Sequence, residues 1–192
     1  MRLVLATRNA HKVREFGALL APHEVESLPA EVELPPETGR TFGENALAKA
    51  RTAAAALHAP AIADDSGIES AALGGAPGVR SARFAGENAS DQENLAKLVA
   101  EAPAGSPLAY VCALAFVAPD GTEHVVEGRC TGTLAAEPRG SGGFGYDPAF
   151  IPDDRDPDAP ERTMAELSQA SKDAISHRGR AARELLAWLQ QR

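Results

Sequence analysis

Long apolar runs, a cysteine framework and a basic surface are all missing from this 192-residue sequence, and each absence removes a class of protein. No stretch approaches the roughly 18 consecutive apolar residues of a membrane-spanning helix. Residues 1–9 contain two Arg, Arg2 and Arg8, and an apolar run of only four residues, too short for a secretory signal, so neither export nor a membrane span is expected. Cys112 and Cys130 are too few for a disulfide framework or a closed zinc site. Both fall in alternating apolar runs and read as small, reduced core residues. A formal net charge of −8 argues against a nucleic-acid partner. A polyphosphate ligand would therefore have to be met by locally concentrated positive charge or by a metal ion. The P-loop pattern and the Gly-x-Ser-x-Gly elbow are also absent.

What remains is an ordinary globular composition, 44% hydrophobic and 24% charged, in a length suited to a single domain spanning 1–192, with two lobes or without. Strand-like and helical patterns alternate. Residues 2–6 (RLVLA) read as a first strand, followed by a helix over 11–20 with Val13, Phe16, Leu19 and Leu20 on one face. Residues 24–28 suggest a second short strand, and 29–39 a Pro- and Glu-rich loop. Thr41 and Glu44 have the spacing of a capping box that opens an Ala-rich helix to Leu57, with Leu47, Ala50, Ala54 and Leu57 as its buried stripe. Residues 60–63 predict a short buried strand ending at Asp64 and Asp65, and 67–87 an irregular Gly- and Arg-rich stretch. Ser90 and Glu93 repeat the capping-box spacing ahead of a helix to about residue 101. Residues 109–118 and 122–133 alternate around Pro119, Asp120 and Gly121 and predict a hairpin. A Gly-rich loop at 140–147 and an acidic, Pro-rich loop at 152–161 follow. A single helix over 168–191 closes the chain, with Ile175, Ala182, Leu185, Leu186 and Leu189 inward. Hairpin and crossover connections together predict an α/β class, a mixed twisted sheet with flanking helices.

Four clusters stand out chemically. Thr7, Arg8, Asn9, Ala10, His11 and Lys12 sit at a strand-to-helix turn, where free helix-start N–H groups bind phosphate. The plainer alternative is that Asn9 caps the helix and Lys12 is solvated. Asp64 and Asp65 are adjacent carboxylates that repel unless a cation or proton separates them. On a strand they point to opposite faces, so that one is free to bind Mg²⁺ while the other is structural; a simple Asx turn is the alternative. Residues 140–148 match the letters of a dinucleotide fingerprint, but Pro148 follows at once and no helix opens there. Phe144, Gly145, Tyr146 and Asp147 instead suit stacking on a base and hydrogen-bonding it, the alternative being a glycine turn with core aromatics. Lys172, Ser176, His177 and Arg178 lie within two turns of the last predicted helix, either as ligand donors or as an ordinary charged surface.

Six segments, ATRNAHKVREF, ETGRTFGENALAKA, AIADDSG, GGAPGVRSARFAG, GGFGYDPAF and KDAISHRGRA, run from the first strand to the last helix. In this order they resemble the inosine triphosphate pyrophosphatase family, whose members act on ITP, dITP and XTP. The resemblance implies two lobes with the active site in the cleft between them, a homodimer, and Mg²⁺. It implies that Thr7 to Lys12 and Lys49 bind phosphates, and that Glu37 and Asp65 hold the metal. Asp65 is also the implied general base, with Ser66 near the substrate, and Phe144, Gly145, Tyr146, Asp147, Lys172, His177 and Arg178 surround the base. The implied location is cytoplasmic and the implied partner a small nucleotide. Arg8 and His11 stand where the family commonly has glycines, and the 152–161 loop is longer and more acidic than expected. Glu44 has a sufficient structural reason in its cap.

Two other readings compete. An apolar-Asp-Ser-Gly pattern is also half of an aspartic protease site, which would need a dimer and leaves the lysines and glycines unexplained. A non-catalytic nucleotide sensor would have no need of Glu37 together with Asp65.

Overall fold

A computed structural model describes residues 1–154 and 159–191. Four residues of the acidic 152–161 loop, 155–158, lie outside the described residues. Among the described residues six strands, β1 (Arg2–Leu5), β2 (Glu24–Ser27), β3 (Ala61–Ser70), β4 (Pro107–Val117), β5 (Glu123–Leu134) and β6 (Phe150–Pro152), hydrogen-bond in the order β2-β1-β3-β4-β5-β6. β1 runs parallel to β2 and β3, and β5 antiparallel to β6, so the sheet is mixed. The helices are α1 (Ala10–Leu19), α2 (Phe42–Leu57), α3 (Asp91–Glu101), α4 (Gln169–Ile175) and α5 (His177–Leu189). None is long and apolar enough to cross a membrane among the described residues.

The chain divides into two compact units. The first comprises residues 1–65, 112–128 and 177 onward. Its β1-α1-β2 crossover pairs Leu3 with Val25, and Leu3, Leu5, Phe16, Ile62, Leu114 and Leu185 form a core shut off from solvent. Burying a side chain such as Phe16 contributes roughly 1.5–3 kcal/mol. Thr41 caps α2 by accepting from the Glu44 N–H, but the Glu44 carboxylate accepts from the Arg40 N–H. The expected reciprocal box is thus only half formed. Of the expected α2 stripe, Ala50 and Ala54 are buried while Leu47 and Leu57 are only half-buried, and Phe42, Asn45, Ala46, Lys49 and Ala53 complete the inward face. The stripe thus contains two polar side chains, Asn45 and Lys49. The hairpin tip forms as expected, with Gly121 at φ 86° and Asp120 accepting from the Thr122 N–H.

The second unit comprises residues 66–111 and 129–176. Ile68, Leu98, Leu108, Leu134, Phe150 and Met164 make its core. The Ser90–Glu93 capping box is complete. Part of the stretch expected to be irregular is strand, because β3 continues to Ser70, and 3₁₀ turns at Ala71–Leu73 and Gly78–Arg83 follow. Ser81 organises that segment: its hydroxyl accepts from the Ile68 N–H and donates to the Gly78 carbonyl.

The closing helix is not continuous. Ser176 is extended, with φ −64° and ψ 155°, and separates α4 from α5. Lys172 and Ser176 therefore do not share a helix face. Both cysteines are buried free thiols, the core role expected of them.

Candidate active site

In the first unit the residues at the end of β1 lead directly into α1. The Asn9 side chain caps the helix, accepting from the N–H groups of His11 and Lys12, while the Thr7 hydroxyl accepts from the Asn9 N–H. Arg8 and His11 both have partners within the first unit. Arg8 donates to the carbonyls of Ala30 and Val32, at 2.9 and 3.0 Å, and braces the loop that leads to Glu37. His11 Nδ1 lies 2.9 Å from an Arg14 nitrogen. Ala6, Thr7, Arg8, Lys12, Glu37 and Lys49 line one pocket of about 520 Å³, joined by Glu33 and Leu34, which the sequence did not single out. Four of the seven expected phosphate ligands, Thr7, Arg8, Lys12 and Lys49, thus line one concavity together with the expected metal ligand Glu37, whereas Asn9, Ala10, His11 and Asp65 are not among its lining residues.

Asp64 and Asp65 lie within β3 instead of at its end, and the alternation of a strand sends them to opposite surroundings. Both Asp64 oxygens are 2.9 Å from Lys12 Nζ, and Arg178 Nε is 3.7 Å away. Asp65 Oδ2 accepts from Asn45 Nδ2 at 2.8 Å, and Oδ1 is 3.9 Å from Lys49 Nζ. Lys49 also donates to Glu37 at 2.6 Å and to the Asp64 carbonyl at 2.8 Å. A strand with consecutive charged residues at its centre is stable only because four side chains from other elements compensate them.

The two carboxyls are driven apart electrostatically. Burial opposes charge on Asp64, yet Lys12, Arg178 and Lys49 outweigh it and hold the carboxyl far below the ordinary carboxylate range. Asp65 moves the other way: burial raises it, Glu37 and Asp64 add to the rise, and Lys49 and Asn45 only partly offset it. Two adjacent carboxyls whose proton affinities are pushed apart can take different roles, one as a fixed charge and the other as a proton acceptor. Burial disfavours the Lys49 ammonium, but Asp64, Asp65 and Glu37 raise it above its usual value and keep it charged.

Glu37 and Asp65 also suit a divalent cation. Their hard oxygens converge on one cationic group, Lys49 Nζ, and a buried carboxyl with a raised proton affinity is relieved by a nearby positive charge. Magnesium typically takes one or two carboxylates and completes its shell with water and phosphate oxygens. Among the described residues no group of three or more His, Cys, Asp or Glu forms an all-protein cage.

Arg178 is buried at the start of α5, where Nη1 donates to Glu15 at 2.9 Å. His177 is buried beside it, and its carbonyl lies so close to Gly128 that a Cβ there would sit 2.1 Å away. Glu15 and Gly128 were not anticipated. Glu15 lies three residues after Lys12 on α1, a spacing that shares a helix face; the Gly128 contact joins distant segments and left no local signal.

In the second unit the Gly-rich loop closes on Asp147. Its Oδ2 accepts from the Phe144 N–H at 2.9 Å and from Lys172 Nζ at 2.6 Å, and its Oδ1 accepts from the Tyr110 hydroxyl at 3.1 Å. Gly143, at φ 70°, is obligatory here, since a Cβ would meet the Asp147 carboxylate at 2.0 Å. The Gly145 N–H donates to Asp91. Tyr146 is buried and its hydroxyl donates to the Ser81 carbonyl, whereas Phe144 is 47% exposed with Lys172 Nζ 5.1 Å from its ring centre. Of the two aromatics, Phe144 is thus the one presented for stacking. A 3₁₀ turn at Asp147–Ala149 follows the loop and no long helix opens, in agreement with the rejection of a dinucleotide fingerprint. Ser66 follows Asp65 on β3 and is half-buried.

Comparison with known proteins gives consistent matches over nearly the whole chain. The model of the Ham1 family matches residues 3–188. A dITP/XTP pyrophosphatase of Streptomyces coelicolor is 48% identical, covering 96% of this chain and 95% of its own length. One of the same name from Geobacillus kaustophilus is 49% identical over 95% of this chain and 91% of its own. Among solved structures, a HAM1 protein from Coxiella burnetii is similar with a TM-score of 0.86 and 39% identity, covering 100% of both chains. The Staphylococcus aureus Ham1 protein gives 0.85 and 38% identity over 100% of this chain and 99% of that one.

Proposed function

The chain belongs to the Ham1 family, and from that premise we propose that it hydrolyses deaminated purine nucleoside triphosphates, dITP, XTP and ITP, to the monophosphate and pyrophosphate. The observation that carries this reading is the split between Asp64 and Asp65: the first is neutralised by Lys12 and Arg178, while the second is raised and set beside Glu37 and Lys49. Such an activity would keep deaminated purines out of DNA and RNA. A cytoplasmic homodimer is part of the same proposal.

A triphosphate brings about four negative charges, which must be countered before a nucleophile can approach. Lys12 and Lys49 line the pocket that would receive them, with Thr7, Arg8, Asn9, Ala10 and His11 forming its turn. Asp65 orients a water molecule and takes its proton, so that attack falls on the α-phosphorus and pyrophosphate leaves. Mg²⁺ held by Glu37 and Asp65 would supply further charge neutralisation for the phosphate oxygens. Phe144 stacks on the base, and Lys172 with Asp147 fixes the loop that carries it.

Selectivity follows from donor and acceptor chemistry. Hypoxanthine and xanthine present a carbonyl at C6 where adenine presents an amino group. Arg178 only donates hydrogen bonds, and Glu15 and Asp64 hold its guanidinium in place. Against adenine a donor facing a donor costs about 1–3 kcal/mol. Arg178→Ala is expected to shrink the ratio of kcat/KM for ITP over ATP roughly tenfold, equivalent to ~1.4 kcal/mol. Lys12→Ala is expected to lower both nucleotides alike. Because both residues also hold Asp64, the ratio within one preparation is the proper readout, since it does not depend on the folded fraction. Equal losses for ITP and ATP in Arg178→Ala would assign base selection to the Phe144 loop instead.

A further inference from the structure

Asn45 is a polar residue in the apolar stripe of α2, 3% exposed, and both ends of its amide are committed. Oδ1 accepts from the Gly39 N–H and Nδ2 donates to Asp65 Oδ2, each at 2.8 Å. The orientation of the amide is dictated by its partners, because a backbone N–H can only donate and an ionised carboxylate can only accept. Gly39 lies two residues after Glu37, and a Cβ at Gly39 would sit 2.6 Å from Asn45 Oδ1. The loop that carries Glu37 is therefore pressed directly onto the side chain that holds Asp65.

We propose that Asn45 is a positioning residue that sets the separation of the Glu37 and Asp65 carboxylates, so that together they can take one divalent cation. The inference rests on the reading of these two acids as the metal carboxylates. By occupying Asp65 Oδ2, Asn45 leaves Oδ1 as the oxygen on the Lys49 side, where Glu37 also points. By anchoring the Gly39 N–H, it stops the 35–39 loop from drifting away from β3. Neither task requires contact with substrate, and a small apolar residue at this helix position would perform neither.

The test is calorimetric titration of the full chain with Mn²⁺, used as the probe in place of Mg²⁺, for wild type, Asn45→Ala, Gly39→Ala and Glu37→Gln, with thermal melts of each. Gly39→Ala pushes the loop off Asn45 without deleting a buried polar group, and it decides the matter if Asn45→Ala fails to fold. The expected result is that Asn45→Ala and Gly39→Ala melt cooperatively and bind Mn²⁺ at least tenfold more weakly, and that added Mg²⁺ restores part of their turnover. A purely structural role would lower the melting temperature and leave the Mn²⁺ affinity of the folded protein unchanged. Wild-type affinity in both variants, alongside loss of binding in Glu37→Gln, overturns this inference alone. Undiminished binding in Glu37→Gln removes the metal reading, and this inference with it.

Discussion

Asp65→Asn is expected to lower turnover by at least ~10²-fold, the contribution of the positioned general base we propose, while the melting temperature of the metal-free protein stays the same or rises. The two halves of this result have one cause. Burial and the neighbouring Glu37 and Asp64 raise the Asp65 carboxyl above its ordinary value, so the folded state disfavours its charge. A group whose proton affinity is raised on folding opposes folding at any pH above both its folded and unfolded values. The amide replacement removes that penalty and can still present an oxygen to Asn45 Nδ2, so the local packing survives. Steady-state kinetics and a thermal melt of the same preparation check both halves. A variant that retains more than a tenth of wild-type turnover would mean that the catalytic carboxylate lies elsewhere, with Asp64 the first suspect.

Asp64→Asn is expected to give the opposite pattern, a loss of stability that accompanies the loss of activity. Removing one partner from a buried ion pair costs about 3–5 kcal/mol, because the remaining charges stay buried. Lys12 and Arg178 would be left facing a neutral amide, with Glu15 still holding Arg178. For a chain of this size the cost corresponds to a fall in melting temperature of roughly 6–20 °C. The pH dependence has a definite sign. The Asp64 carboxyl is depressed on folding, so its stabilisation is complete above the unfolded value near 3.8 and is lost as pH falls towards the folded value. Wild type and Asp64→Asn should therefore differ most at neutral and mildly acidic pH and converge in strong acid. Equal melting temperatures at neutral pH would show that the Lys12–Asp64–Arg178 group contributes little to folding.

The elements legible in the sequence were those set by local chemistry. The caps at Asn9, Thr41 and Ser90 and the tip around Gly121 all appear, because each depends on residues within a few positions of one another. Elements fixed by distant partners were not legible. The apolar run over 60–63 predicts a strand ending at Asp64 and Asp65, whereas β3 continues to Ser70, with Lys12, Arg178, Asn45 and Lys49 compensating the two carboxylates from other elements. The break at Ser176 has no Gly or Pro to announce it and shows only in the extended backbone there. β6, three residues long, is too short to leave a periodic signal. Within the site Thr7 and Lys12 stand out in the sequence through their strand-to-helix turn, Glu37 and Lys49 only through the family resemblance, and Asn45 not at all, although it lies in the buried stripe of α2. A polar residue at the position where helical spacing demands an apolar one is the signal that would have found it.

The central claim is cleavage at the α-phosphorus with preference for deaminated purines, and a product analysis tests it most directly. The full chain is incubated with Mg²⁺ and, separately, XTP, dITP, GTP and ATP, and pyrophosphate, orthophosphate, mono- and diphosphates are resolved at early times with no other phosphatase present. The account predicts pyrophosphate and the monophosphate in equal amounts as primary products, with kcat/KM for XTP and dITP at least about tenfold above that for ATP. A nucleoside diphosphate with free orthophosphate as the first products, or equal turnover of XTP and ATP, would contradict it.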